Sequence, residues 1–225
     1  MKTLIIRIIT GIIYLSILAF AFFCSKYALM GVFTIFLIIA VVEYIQLVQK
    51  FPAPKSNIQS FIQRLFLPII WIIFPILLLE YWCIALNETP IVVAMFIILC
   101  ANDSLAYVFG SLLGKHKLWR KVSPKKSWEG FFGGLICTMA TSWFFIKITY
   151  FHNNVFTTPV IWIGFAFVVI ISGTFGDFAE SMVKRYSNQK DSGTILPGHG
   201  GVLDRIDSML FAIPSGFVYW ALFVI

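Results

Sequence analysis

Asp177, Glu180, Ser181 and Lys184 stand at i, i+3, i+4 and i+7, a spacing that puts all four on one stripe of a helix. Arg185 follows, then Lys190-Asp191-Ser192-Gly193 and Leu196-Pro197-Gly198-His199-Gly200-Gly201. The run closes on Asp204-Arg205-Ile206-Asp207 as the chain turns apolar. Asp204 and Asp207, at i and i+3, face one side of a single helical turn. Paired carboxylates among several cations suit a phosphate ligand with Mg²⁺, which takes one or two carboxylates and completes its shell with substrate phosphate and water. The Gly200-Gly201 pair frees the backbone to approach a ligand closely. A solvated, salt-bridged loop is the competing explanation. It gives no reason for the glycine pair, nor for two acids where the chain re-enters an apolar run. No second His or Cys is placed to share a metal with His199, which is expected to contact phosphate or to hold the loop.

Two further constellations precede this one. Asn102-Asp103 lies late in an apolar run, so Asp103 is either a helix end at the headgroups or an inward carboxylate that binds a cation or a hydroxyl. Ser123-Pro124-Lys125-Lys126-Ser127 offers two cations and a hydroxyl on a proline-stiffened turn, a combination suited to a polyphosphate. The stretch from Gly110 to Lys115 is one residue short of a P-loop, and no Ser or Thr follows the lysine. Trp119 and Trp128 have the simpler reading of interface anchors.

The elements that position these groups follow from composition. The chain has 225 residues, 60% hydrophobic and 12% charged, with a mean hydropathy of +0.91. Too little polar surface remains to coat a soluble globule, which excludes a cytosolic domain, a disordered chain and a disulfide scaffold. Seven apolar windows approach the length needed to cross a bilayer, at 4–23, 27–48, 66–86, 90–110, 131–151, 160–180 and 208–225. The expected fold is therefore all-α, a polytopic integral membrane helix bundle of about seven helices. It forms one membrane domain over 1–225, with N-terminal helices in 1–89 and the chemistry in 90–225. Pro68, Pro75 and Pro214 fall inside windows and should kink those helices or mark their starts. Gly133-Gly134 and Gly173 with Gly176 would let helices pack closely. Lys2 and Arg7 followed by apolar residues imitate a leader peptide, but the run reaches Phe23 and a second begins at Tyr27. A retained first helix is the expectation.

The net charge of +7 has a topological cause rather than a nucleic-acid one. With a cytoplasmic N-terminus, every Lys and Arg except Lys26, Lys147 and the borderline Arg7 falls on the inner side, and both large polar loops face the cytoplasm. Acids obey no such rule. Yet Asp103, Glu129, Asp177, Glu180, Asp191, Asp204 and Asp207 all lie from position 103 onward, near or within the last four helices. Ionisable groups at membrane depth usually mark a site. Cys24, Cys83, Cys100 and Cys137 are isolated in apolar runs, so neither zinc nor a redox pair is indicated.

The run from Ser181 to Asp207 resembles the signature of the phosphatidate cytidylyltransferase (CDP-diacylglycerol synthase) family over its full length. Asn102-Asp103 with Ala106-Tyr107 and Phe109-Gly110, and the segment from Ser123 to Gly130, are similar to further family segments in the expected order. The likeness covers roughly 90–225; upstream only the hydrophobic pattern is similar, and the chain is short for the family. The resemblance implies that CTP and phosphatidate become CDP-diacylglycerol and pyrophosphate with Mg²⁺, a second cation and a homodimer being compatible with it. Asp177, Asp204 and Asp207 would bind metal. Lys184 and Arg185 would act on the reacting phosphates together with Asp204 and Asp207. Lys125, Lys126, Lys190 and Arg205 would hold triphosphate and lipid phosphate, and Asn102, Asp103, Ser123, Asp191, His199, Gly200 and Gly201 would complete the substrate site. The membrane would be a bacterial inner membrane with the site facing the cytoplasm. Two other readings are a CTP-dependent lipid kinase, distinguished by its products, and a transporter, whose polar groups should instead sit near the midplane in two matching halves.

Overall fold

Helices dominate because a chain this apolar must satisfy its backbone internally when it leaves water. The computed structural model describes residues 2–54, 56–146, 159–198 and 200–223; Lys147 and His199, both invoked above, lie outside them. In chain order the elements are α1 (Lys2–Phe23), α2 (Lys26–Gln49), α3 (Asn57–Phe61), α4 (Phe74–Ile84) and α5 (Thr89–Leu113). A hairpin of β1 (Lys117–Trp119) and β2 (Ser123–Ser127) comes next, then α6 (Trp128–Ile146), α7 (Pro159–Tyr186) and α8 (Leu203–Phe223). Among the described residues five spans are long and apolar enough to cross a membrane: α2, the continuous run Asn57–Ile84, α5, α7 and α8. The protein is an all-α polytopic membrane bundle.

Two boundaries differ from the hydropathy windows. The third span begins at Asn57 rather than at 66. Ser56 caps it by accepting from Gln59 N–H at 3.1 Å, and two π-helical segments, Ile62–Phe66 and Ile69–Ile73, carry it past Pro68. A π turn absorbs the donor that proline lacks. Polar Asn57, Gln59, Ser60, Gln63 and Arg64 had hidden this first part of the span. The last span begins at Leu203, not 208, so Asp204, Arg205 and Asp207 belong to the first two turns of α8.

The Ser123–Ser127 run is a second departure. It is not a turn but the strand β2, paired antiparallel with β1 in the register Lys117↔Ser127 and Trp119↔Ser123. A clasp closes the hairpin onto α6. His116 N–H donates to the Glu129 carboxylate at 3.1 and 3.2 Å, the His116 ring nitrogen Nδ1 lies 2.6 Å from Glu129 Oε1, and Trp128 N–H donates to His116 C=O at 2.9 Å. A β ladder supplies the backbone pairing that a short polar excursion between two membrane helices needs.

Burial of apolar surface does little to associate helices inside lipid, so close approach of small residues must do it. A Cβ on Gly134 would stand 2.8 Å from Ala106 Cβ, and one on Gly130 would stand 2.7 Å from Ala106 C=O, so α5 and α6 touch backbone to backbone. A Cβ on Gly176 would lie 2.5 Å from the carbonyl oxygen of Asp207 and 3.2 Å from Ser208 Cα. Thus α7 and α8 are in contact where the acids of α8 emerge. Gly176→Ala must push the two helices apart there. A misplacement on the order of 1 Å can cost about a hundredfold in rate. Turnover of the variant at saturating substrate should fall by about that factor while its gel-filtration profile in detergent stays unchanged.

Candidate active site

The polar groups collect at one end of the bundle. The hairpin, the loop 187–202, the C-terminal ends of α2, α5 and α7 and the N-terminal ends of α6 and α8 all meet there. Lys50 at the end of α2 donates to Gln189 Oε1 at 3.2 Å, and Arg185 on α7 donates to the carbonyls of Val122 at 3.3 Å and Gln189 at 3.1 Å. Arg185 therefore ties hairpin to loop.

A cleft of about 560 Å³ opens between α5, the hairpin, α6 and α7. Asn102 and Asp103 line it from α5, Lys125 and Lys126 from β2, and Asp177 from α7. The structure thus joins three constellations separated by up to seventy-odd positions in the chain. Lys126 forms an ion pair with Asp177, and its ammonium lies 5.0 Å from the centre of the Phe178 ring. Ser181 donates to Asp177 Oδ1 at 3.3 Å. The buried amide oxygen of Asn102 has no donor among the described residues.

A second cluster adjoins the cleft. Lys184 is held between Glu180, its i−4 neighbour, and Asp204 Oδ1, the latter at 2.6 Å. Asp204 Oδ2 accepts three further bonds, from Ser192 N–H at 2.9 Å, Ser192 Oγ at 2.9 Å and Gly201 N–H at 2.7 Å. Asp204 therefore organises the loop as well as pairing with Lys184. Asp207 accepts from Ser208 N–H at 2.7 Å. Asp103, Asp177 and Asp207 lie within electrostatic reach of one another.

One member of this machinery escaped the sequence reading. Glu43 sits on α2, 1% exposed. Its carboxylate accepts from Val202 N–H at 3.1 Å, Leu203 N–H at 2.8 Å and Ser192 Oγ at 3.2 Å. It caps α8 from a distant helix, supplying the acceptors that the first amides of a helix lack. The glycines of the loop make room for it: a Cβ on Gly193 or Gly201 would collide with the Glu43 side chain. Gly200 adopts φ +86°, which a side chain would strain, and closes a tight turn through its two backbone bonds with Leu196 at 2.9 and 3.1 Å. Close approach by these glycines is thus met by the protein's own carboxylates.

Not every anticipated residue reaches the cleft. Ser123 pairs with Trp119 in the hairpin, and Lys190 and Asp191 are exposed on the loop, outside the lining of the cleft. Among the described residues no three His, Cys, Asp or Glu side chains form a ready cage for a metal. Asp103 and Asp177, which line the cleft with the Asn102 amide oxygen, still fit Mg²⁺ of the kind that takes few protein ligands and relies on substrate phosphates.

The arrangement can bind a polyphosphate against lysines while keeping hard oxygen donors alongside. Comparison with known proteins identifies the family. Residues 50–223 match the model of the Cytidylyltransferase family. A phosphatidate cytidylyltransferase of Staphylococcus haemolyticus (strain JCSC1435) is 44% identical over 119 residues, covering 53% of this chain and 44% of that protein. One of Staphylococcus aureus (strain COL) matches with the same identity and coverage. The match spans under half the length of these curated relatives. Because the family match runs through the cleft, the loop and α8 and takes in most of the chain, the protein belongs to the cytidylyltransferase family.

Proposed function

We propose that the protein transfers the cytidylyl group of CTP to phosphatidate, giving CDP-diacylglycerol and pyrophosphate. The observation that carries this reading is the union of Lys125, Lys126, Asn102, Asp103 and Asp177 in one cleft at the end of a membrane bundle. A lipid phosphate oxygen attacks the α-phosphorus of CTP; the new P–O bond forms as the bond to the β-phosphate oxygen breaks, and pyrophosphate leaves. The attacking oxygen is already anionic, so no general base is required, and catalysis rests on positioning and charge neutralisation. Lys126 and Lys184 enter the reaction paired with Asp177 and with Glu180 and Asp204. Triphosphate competes for those ammonium groups, and the pairs keep both lysines aimed until it does. Mg²⁺ bound at Asp177 and Asp207, with Asp103 beside them and Asp204 adjoining, would neutralise the charge of the reacting phosphates. Arg205, on the first turn of α8, is suited to the lipid phosphate. We further infer seven membrane helices and a cytoplasmic N-terminus, which puts the cleft on the CTP side of a bacterial inner membrane.

The direct test uses purified protein, CTP labelled at the α-phosphate, phosphatidate micelles and Mg²⁺. Label should enter the organic phase only with phosphatidate present, match pyrophosphate release and vanish on chelation. Transfer of label from the γ-phosphate instead would establish a lipid kinase and overturn the reading. Lys126→Met keeps the stem over Phe178 and removes the charge. Its kcat/KM for CTP should fall by about a hundredfold, the scale of one lost charge-stabilising donor. A fall smaller than about threefold would take Lys126 out of the nucleotide site.

A further inference from the structure

Lys126 reaches the cleft from β2, and its ammonium rests on two groups of α7 that differ in chemistry. One is the Asp177 carboxylate, in an ion pair. The other is the Phe178 ring, whose centre lies 5.0 Å from the ammonium. Phe178 is buried and does not border the cleft that Lys126 and Asp177 line. The same ring meets Trp119 of β1, centre to centre at 6.0 Å with the planes tilted by 45°. Phe178 therefore touches both strands of the hairpin from a single position on α7. Two turns along the helix, Arg185 donates to Val122 C=O at 3.3 Å, which gives the hairpin a second tie to α7. The contact between His116 and Glu129 fixes its base to α6.

We propose that Phe178 is a positioning residue for nucleotide binding, its ring keeping the Lys126 ammonium aimed at the cleft once Asp177 has released it. The inference rests on the cytidylyl-transfer reading, in which Lys126 meets the triphosphate, and adds to it a residue that touches no substrate. Charge explains why a ring is needed there. Phosphate oxygens compete with the Asp177 carboxylate for the lysine, and a carboxylate that turns to a metal ion no longer holds an ammonium. An uncharged ring attracts the ammonium through its quadrupole, competes for no metal and carries no net charge to repel phosphate. Because the ring lies outside the cleft, it leaves the cleft side of the ammonium open to the nucleotide. A lysine stem is flexible, and a stem already settled on a ring loses less freedom when phosphate arrives. Packing alone is the competing explanation, since Phe178 also supports Trp119.

The test titrates CTP into the full chain in detergent, with Mg²⁺ and without phosphatidate, and reads Kd by calorimetry. Phe178→Leu keeps an apolar side chain and should raise Kd for CTP about fivefold, the scale of one partly buried cation–ring contact. In a Lys126→Met background the same change should shift Kd by less than about 1.5-fold, because the ring has no ammonium left to hold. Mono-, di- and trifluorophenylalanine placed at 178 keep the ring's shape while draining its face of negative charge. Kd should climb with each fluorine in the parent and stay flat in the Lys126→Met background. In turnover, KM for CTP should rise in step while the lipid mole fraction at half-maximal rate stays within about twofold. Equal losses with and without the ammonium would reduce Phe178 to packing and overturn the inference. So would a Kd indifferent to fluorination. Binding needs no turnover: a ring-dependent Kd in a protein that makes no nucleotide-lipid sinks the cytidylyl-transfer reading and leaves the positioning role standing.

Discussion

Asp207→Asn should insert and fold normally yet lose cytidylyl transfer by about a thousandfold, the several kcal/mol that a properly held cation contributes to phosphoryl chemistry. The side chain keeps its shape and its bond to Ser208 N–H, so packing against Gly176 is preserved. What changes is charge. Asp207 is a buried carboxylate near Asp177 and Asp103, and replacing it with a neutral amide removes the cost of holding its charge away from water. The variant should therefore be at least as stable as the parent in thermal unfolding while being nearly inactive, the pattern of a residue kept for function at a cost in stability. Retained turnover with an unchanged dependence on Mg²⁺ would remove Asp207 from the metal role.

Glu43→Ala should be the most destabilising single change in the bundle outside its apolar core. It leaves the amides of Val202 and Leu203 and the hydroxyl of Ser192 facing a cavity. Buried donors that lose their acceptor, together with a lost helix cap, cost about 3–5 kcal/mol. The consequence runs directly into the site, because Ser192 also donates to Asp204, and Asp204 holds Lys184. Limited proteolysis should open the loop 187–202 in Glu43→Ala before any helix is cut. Glu43→Gln keeps one acceptor oxygen and the shape, so its loss should be about 1–2 kcal/mol. Activity should recover toward the parent's in the order Ala, Gln, Glu at temperatures where all three are folded. Equal unfolding temperatures for Glu43→Ala and the parent would show that the three bonds carry no weight.

How much of this was legible in sequence depends on the range of the forces involved. Hydropathy alone specifies that helices span a bilayer, since twenty apolar residues have few other stable destinations in water. Local spacing also sufficed for the Asp177–Lys184 stripe, because helical periodicity is an i, i+4 property. Boundaries were less accessible. The span from Asn57 was hidden by polar side chains that a serine cap and two π segments tolerate, and the start of α8 was hidden because its cap comes from another helix. Glu43 did leave one signal, a lone carboxylate in the apolar run 27–48, and ionisable residues at membrane depth are costly enough to demand a partner. That partner lies about 150 positions away, beyond any local pattern.

Residue types and spacing therefore determined, unaided, that this is a polytopic membrane protein, and they raised the expectation that its polar end binds phosphate. They also determined which short runs carry its lysines and acids. Tertiary structure alone decided that Asn102, Lys126 and Asp177 share a cleft and that Asp103 also borders a second cavity against α1. It decided too that the loop's glycines admit Glu43 and that Asp204 and Arg185 spend part of their bonding capacity on holding the loop. The physical reason is the same in each case. Composition and periodicity act along the chain, whereas the bonds that a buried charge must find are set by which helix ends packing brings together.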